Sequence, residues 1–329
     1  MAEKTSEYFL SRVLLTGATG FIGRSLSVEL PEKGFEVIAA VRRLSDFLPE
    51  TVQQVVVGDL ASETDWSKAL TAVSIAIHTA ARVHVMTDTA ADPLAEFRRV
   101  NLDGTMNFAK QAAAAGVKRF IFLSSIKVNG ESTWPGRPFT ADDSHAPRDP
   151  YGVSKSETEQ ALLDLSAKTG MEVVIIRPVL VYGPEVKANF LNMMRWLSSG
   201  VPLPLGAVHN KRSLVSLDNL VDLIITCINH PAAANQVFLA SDGDDLSTTE
   251  LLQRLSLSLG KPVRLIPVPV GILRTVAKLL GKYDVAQRLI GSLQVDITKT
   301  QKLLNWQPPV SVNEALQKTA LAFLQQKRN

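Results

Sequence analysis

An α/β fold, a doubly wound parallel sheet followed by a smaller, mixed but mainly helical C-terminal substrate domain, is predicted for this 329-residue chain. Three observations predict it. Short apolar runs alternate with helical patterns through the first half, which is the signature of βαβ units. Those runs are nearly continuous in Val, Ile, Leu and Ala, as strands covered on both faces require. A glycine-rich turn joins the first run to the first helical pattern.

In chain order, strands are expected at 12–16, 36–41, 54–57, 74–78, 120–124 and 172–176. Helical patterns lie between them at 21–33, 64–70, 93–115 and 151–168. After Ile176 the alternation stops, and Pro-rich stretches such as Val201-Pro202-Leu203-Pro204 give way to helices. The expected organisation is a dinucleotide-binding domain over 1–176, with 211–240 returning to it, and a substrate-binding region over 177–329. Loops after the strands' C-terminal ends are expected to line the cleft.

Composition excludes several classes. Net charge is only +3, from 35 basic and 32 acidic residues without a dominant block, so nothing favours nucleic acid. The single Cys227 rules out an internal disulfide framework, suits a reducing cytoplasm and, in an apolar run, reads as a buried structural thiol. Residues 1–11 lack the apolar core of a signal peptide, and no stretch reaches the roughly 20 apolar residues that span a bilayer. The best membrane-surface candidate is 270–282, apolar with Arg274, Lys278 and Lys282, and an ordinary packed amphipathic helix is its expected role. Five histidines, at 78, 84, 145, 209 and 230, show no metal-ligand spacing, and His78 and His84 read as site lining or structure. No G-x-S-x-G elbow marks a serine hydrolase.

The turn Gly17-Ala18-Thr19-Gly20-Phe21-Ile22-Gly23 directly follows the first strand and opens the first helix. Small residues let the backbone approach a pyrophosphate, and a helix N-terminus supplies N–H donors, so this is a Rossmann-type dinucleotide site. The second strand ends at Val41-Arg42-Arg43 with no carboxylate at its tip. Two guanidiniums suit the extra phosphate of NADP, which is therefore favoured slightly over NAD.

Tyr151 and Lys155 stand four residues apart, on one face of an expected helix. A free phenol has a pKa of about 10, and lowering it by roughly 3 units takes about 4 kcal/mol. An ammonium about 5 Å away supplies roughly 3 kcal/mol at an effective dielectric near 20. The pair is a plausible proton-transfer device.

Together these motifs resemble the extended short-chain dehydrogenases/reductases, specifically the NAD-dependent epimerase/dehydratase family acting on nucleotide sugars. The resemblance extends to Asp59 and Leu60 in Gly58-Asp59-Leu60, to Ala80 and Ala81 in His78-Thr79-Ala80-Ala81, and to Asn101. It assigns the family's catalytic serine to Ser125, beside Ser124, and the crossing into the substrate domain to 177–184, with Pro178 at the cofactor. It implies substrate contacts from Ser125, Asn189 and Arg212, the last as a diphosphate-binding arginine. The family often carries tyrosine where this chain has Asn129, and Lys127 adds a charge nearby, so both bear on the preferred substrate.

The mechanism implied is proton transfer by Tyr151, with Lys155 lowering the phenol pKa and holding the nicotinamide ribose, and Ser125 orienting the reacting oxygen. Two enzymes share this machinery. The first expectation is NAD(P)H-dependent reduction of a UDP-4-keto-6-deoxy-N-acetylhexosamine in bacterial surface-polysaccharide (O-antigen) synthesis. The second is a UDP-glucose or UDP-N-acetylglucosamine 4-epimerase. A catalytically silent NADP-binding sensor would have no need of Tyr151 and Lys155, and sterol or flavonoid reductases no need of Asn189 and Arg212. The family also implies a cytoplasmic homodimer built through helices near 93–115 and 151–168.

Overall fold

The computed structural model describes residues 11–83, 92–134 and 136–327, and His84 lies outside them. Arg12–Thr16 forms β1, and every residue after Arg12 is buried, as its unbroken apolar run requires. Phe21–Glu32 forms α1, Glu36–Val41 β2, Gln53–Val56 β3 and Ile75–His78 β4. Pro93–Phe97 (α2) and Thr105–Ala114 (α3) precede Arg119–Leu123 (β5), Pro150–Thr169 (α4) and Glu172–Pro178 (β6). The remainder is β7 (Leu180–Tyr182), α5 (Ala188–Ser199), β8 (Leu214–Ser216), α6 (Leu217–Asn229) and β9 (Gln236–Ala240). Five helices follow: Thr248–Ser258 (α7), Val270–Leu279 (α8), Tyr283–Ile290 (α9), Thr298–Leu304 (α10) and Val312–Gln326 (α11).

Seven strands form one sheet in the order β3-β2-β1-β4-β5-β6-β9, while β7 and β8 pair separately. β1 runs parallel to both β2 and β4, with Thr16 opposite Ala40 on one side and His78 on the other. Strand order reverses between β1 and β4. The loops after these strands therefore emerge side by side, at the switch point where such sheets bind ligands.

Two helical expectations need correction. No helix forms over 64–70. There, α3 side chains satisfy the backbone: Gln111 accepts from the Trp66 N–H (2.9 Å), and the Asn107 and Gln111 amides both donate to the Thr64 carbonyl. Trp66 packs at a tilt against Phe108 with ring centroids 4.3 Å apart, so tertiary contacts replace the local helix. The pattern at 93–115 is helical throughout but interrupted, because Arg98–Gly104 is a π-helical segment between α2 and α3.

The chain forms two compact units. One holds the described residues up to Leu123 with Asp149–Ile175 and Cys227–Gln236; the other holds Ser124–Arg148, Ile176–Thr226 and everything from Val237. Compared with the expected division, the segment 124–148 joins the second unit, and only 227–236 of the return over 211–240 joins the first. No helix among the described residues is long and apolar enough to cross a membrane. Cys227 is buried, and desolvation pushes its thiol up to about 12, so it is inert.

Within the first unit, Arg119 on β5 is 7% exposed and pairs with Glu172 (2.6 Å). Its Nη1 also donates to the carbonyls of Cys227, Ile228 and His230, at 2.7, 2.8 and 2.9 Å, covering the acceptors that a helix end leaves open. Arg119→Met should lower unfolding free energy by about 3 kcal/mol, because buried acceptors are left unpaired. Urea unfolding would show this, and a loss under about 1 kcal/mol would contradict the assignment.

Candidate active site

The turn after β1 leaves room only for backbone. Gly17 has φ +73°, and a Cβ there would meet Thr79 Oγ1 at 2.6 Å and the Ala80 nitrogen at 2.7 Å. A Cβ on Gly23 would sit 2.1 Å from the Gly17 carbonyl oxygen, so only glycine lets α1 abut the turn. The Gly20 N–H donates to that carbonyl at 2.8 Å. At the N-terminus of α1, no side chain caps the backbone and no acidic residue occupies the first turn. Thr19 and Gly20 are exposed, and Phe21 and Ile22 half-buried. This positive, open helix end beside the Ala80-Ala81 backbone fits a dinucleotide's diphosphate.

A buried polar chain sets the turn's floor. His78 Nδ1 lies 2.6 Å from Thr16 Oγ1, and its Nε2 lies 2.9 Å from Thr105 Oγ1. Thr16 Oγ1 also accepts from the Ala80 N–H (3.3 Å), tying the ends of β1 and β4 together. His78 is fully buried among Phe108, Phe120 and Phe122, and desolvation, with the Lys155 charge adding to it, lowers its pKa to about 3. It is a neutral structural imidazole.

At the β2 tip, Arg42 and Arg43 are exposed, and Arg42 approaches the equally exposed Asp59 at 3.8 Å. Leu60 is fixed by close packing, since a Cβ on Gly104 would be 2.9 Å from its carbonyl.

The start of α4 carries the proton-transfer pair. Asp149 caps it by accepting from the Gly152 N–H at 2.7 Å, Pro150 fills the first turn, and Gly170 in the left-handed region ends it. Tyr151 is half-buried in that first turn. Lys155, one turn on, is 2% exposed; its Nζ donates to the Leu123 carbonyl (2.8 Å) and lies 4.3 Å from the Phe122 ring centroid and 6.0 Å from that of Tyr151. Desolvation lowers its pKa to about 7, with Glu159 opposing.

Asn101, from the π segment, fastens this helix to the loop after β4. Its side chain exchanges hydrogen bonds with the Arg82 backbone (2.8 and 3.0 Å) and donates to Ser154 Oγ (3.1 Å). Its carbonyl accepts from Thr158 (2.9 Å). π segments of this kind recur at functional sites.

The remaining predicted residues belong to the second unit. Ser125, half-buried, caps the short turn Ile126–Val128 by accepting from the Lys127 N–H (3.3 Å), so its O–H proton stays available for another acceptor. Lys127 lies 3.6 Å from Glu131. Asn129 is buried and structural: it donates to the Thr140 carbonyl (2.9 Å) and accepts from Arg177 (2.9 Å), whose Nη2 lies 2.6 Å from His145. That anchoring by Arg177 and His145 had no sequence signal. Pro178 is buried at the end of β6, and Asn189 is exposed in the uncapped first turn of α5. Arg212 donates to the Gly291 carbonyl (3.1 Å), and burial lowers its pKa. Among the described residues no carboxylate pairs with it. Also among the described residues, no group of three or more His, Cys, Asp or Glu could hold a metal ion.

Residues 13–240 match the model of the "NAD dependent epimerase/dehydratase family". A curated relative, UDP-glucose 4-epimerase of Vibrio cholerae, is 52% identical over 315 residues, covering 95% of both chains. The N-acetyl-α-D-glucosaminyl-diphospho-ditrans,octacis-undecaprenol 4-epimerase of Escherichia coli O157:H7 is 28% identical, covering 93% of both. Among solved structures, UDP-glucuronic acid 4-epimerase from Bacillus cereus in complex with NAD superposes with a TM-score of 0.78 at 20% identity, over 96% of this chain and 99% of that one.

The burial of His78 has a pH signature. Its folded pKa lies below the unfolded value of 6.5, so its contribution is complete above that value and is lost as pH falls towards about 3. Between about pH 6.5 and 4.5 the protein should lose roughly 2 kcal/mol through this residue alone. His78→Gln should flatten the wild-type pH slope of urea unfolding by that amount; an unchanged slope would refute it.

Proposed function

The chain belongs to the NAD dependent epimerase/dehydratase family, and from that premise we propose that it is a UDP-sugar 4-epimerase using NAD. The observation that carries the reading is the 52% identity, end to end, to a UDP-glucose 4-epimerase. The ketoreductase reading, first among the expectations from sequence, yields to the epimerase. Its support was the arginine pair after β2, and Arg42 has Asp59 beside it at 3.8 Å.

In this proposal the glycine turn would hold the dinucleotide, which when bound would supply the hydride acceptor for the sugar carbon that bears the 4-hydroxyl and the donor for its return to the opposite face. Gly17, Thr19, Gly20, Phe21, Ile22 and Gly23 hold its diphosphate, with Arg42, Arg43, Asp59, Leu60, Ala80, Ala81, Asn101 and Pro178 around the rest. Tyr151 takes and returns the proton of the substrate's 4-hydroxyl. Lys155 favours the phenolate by its charge, and Ser125 donates its free O–H proton to the reacting oxygen. Arg212, desolvated and without an acidic partner, binds the substrate diphosphate with Asn189, and Lys127 contributes charge nearby. The same reading places the work in the cytoplasm, in a homodimer supplying sugars for surface polysaccharide.

The test is to incubate the protein and NAD with UDP-glucose and with UDP-N-acetylglucosamine, without added reductant, and follow the 4-epimers by NMR. Interconversion is expected. Consumption of NADPH with a UDP-4-keto-6-deoxy-N-acetylhexosamine, and no interconversion, would overturn the reading. Tyr151→Phe should lower turnover by roughly 10²- to 10⁴-fold while NAD affinity, read by calorimetry, stays within about twofold.

A further inference from the structure

Helix α8 is the one α-helix among the described residues in which nothing is buried. Its apolar side chains nonetheless form a regular stripe. Ile272, Val276, Leu279 and Leu280 recur at i, i+4, i+7 and i+8, so they share one face. That face is open to solvent: the four are 55%, 46%, 82% and 67% exposed. Val270, Leu273 and Ala277 make the half-buried flank of the helix, which packs on α9. At the start of α9, Tyr283 and Val285 are exposed as well, at 38% and 54%.

Charge decides what this face suits. Arg274 and Lys278 occupy the side of α8 away from the apolar stripe, Lys282 follows at the turn into α9, and all three are exposed. Over 261–290 the chain carries six basic residues, Lys261, Arg264, Arg274, Lys278, Lys282 and Arg288, against one acidic residue, Asp284. Taking these from totals of 35 and 32 leaves 29 basic and 31 acidic residues elsewhere, so the whole positive excess of the protein resides in this segment. An exposed apolar stripe backed by clustered cations matches a helix that lies in the plane of an anionic bilayer surface. A ten-residue helix cannot span, so the contact is shallow.

We infer that α8 and the start of α9 dock this protein peripherally on anionic phospholipid membranes. The inference is independent of the epimerase reading.

The test uses the full chain and sedimentation with vesicles of phosphatidylcholine alone or with about 30% phosphatidylglycerol, at low and at high salt. Binding to the anionic vesicles, weakened by salt, is expected. The triple variants Ile272→Ser/Leu279→Ser/Leu280→Ser and Arg274→Gln/Lys278→Gln/Lys282→Gln should each lower partitioning by about tenfold or more. Both should keep the wild-type melting temperature and NAD affinity, since every altered side chain is exposed. Failure to bind anionic vesicles, or equal binding by the variants, would overturn the inference. So would light scattering showing that the serine variant turns a dimer into a monomer, which would assign the face to a second copy of this chain.

Discussion

A lysine ammonium withdrawn from water is the constraint on which the first unit is built. Lys155 is 2% exposed and has one carbonyl, from Leu123, and one ring face, from Phe122, as neighbours of its Nζ. Its pKa falls from 10.5 to about 7, so the fold bears a cost on the order of 5 kcal/mol below pH 7 that fades as pH rises towards 10.5. Such a cost is unexplained by packing, because an apolar side chain would fill the space more cheaply. The proposed function would explain it, because that reading needs a positive charge one helical turn from Tyr151. The caps at Asp149 and Gly170 and the bonds from Asn101 and Thr158 hold α4 where that charge is useful.

Phe122 links this lysine to the glycine turn. One ring meets Lys155 at 4.3 Å and His78 at 5.9 Å, and His78 in turn holds Thr16, the residue before Gly17. A neutral imidazole is the fitting element here, because a second cation beside Lys155 would raise the cost of burying both. The low pKa of His78 and the lowered pKa of Lys155 are thus two consequences of one apolar, strand-end environment. Gly17, Gly23 and Gly104 serve the same compactness by admitting backbone where a Cβ would collide.

The six strands expected over 12–176 were legible to within one or two residues, most of them because burial on both faces leaves continuous apolar runs, whereas β7, β8 and β9, which follow the break in the alternation, were not foreseen. The glycine turn and the Tyr151–Lys155 spacing were legible because they are local. What escaped was decided at long range. The stretch 64–70 has helical composition, but Asn107 and Gln111, some 40 residues on, take its backbone bonds. The π segment leaves no periodic trace in 93–115. Asn129 looked like a substrate contact, whereas it is buried and bound by Arg177. For α8, an apolar stripe reads identically whether a neighbour covers it or water does, so only the fold distinguishes them.

A net charge of +3 hides two physically different uses of positive charge in the second unit. Arg212 is a single, half-buried guanidinium left without an acidic partner, and partial desolvation lowers its pKa, a state that favours one well-placed anion. The cations of 261–290 are exposed and many, so each contributes little, acts over about a Debye length and is screened by salt. On the proposed readings the first arrangement would discriminate among ligands by fit and the second would respond to a charged surface of any detailed structure. Mutation and ionic strength should then separate them: removing Arg212 should cost a ligand contact at any salt, whereas raising salt should weaken a membrane contact of α8 and leave Arg212 largely unaffected.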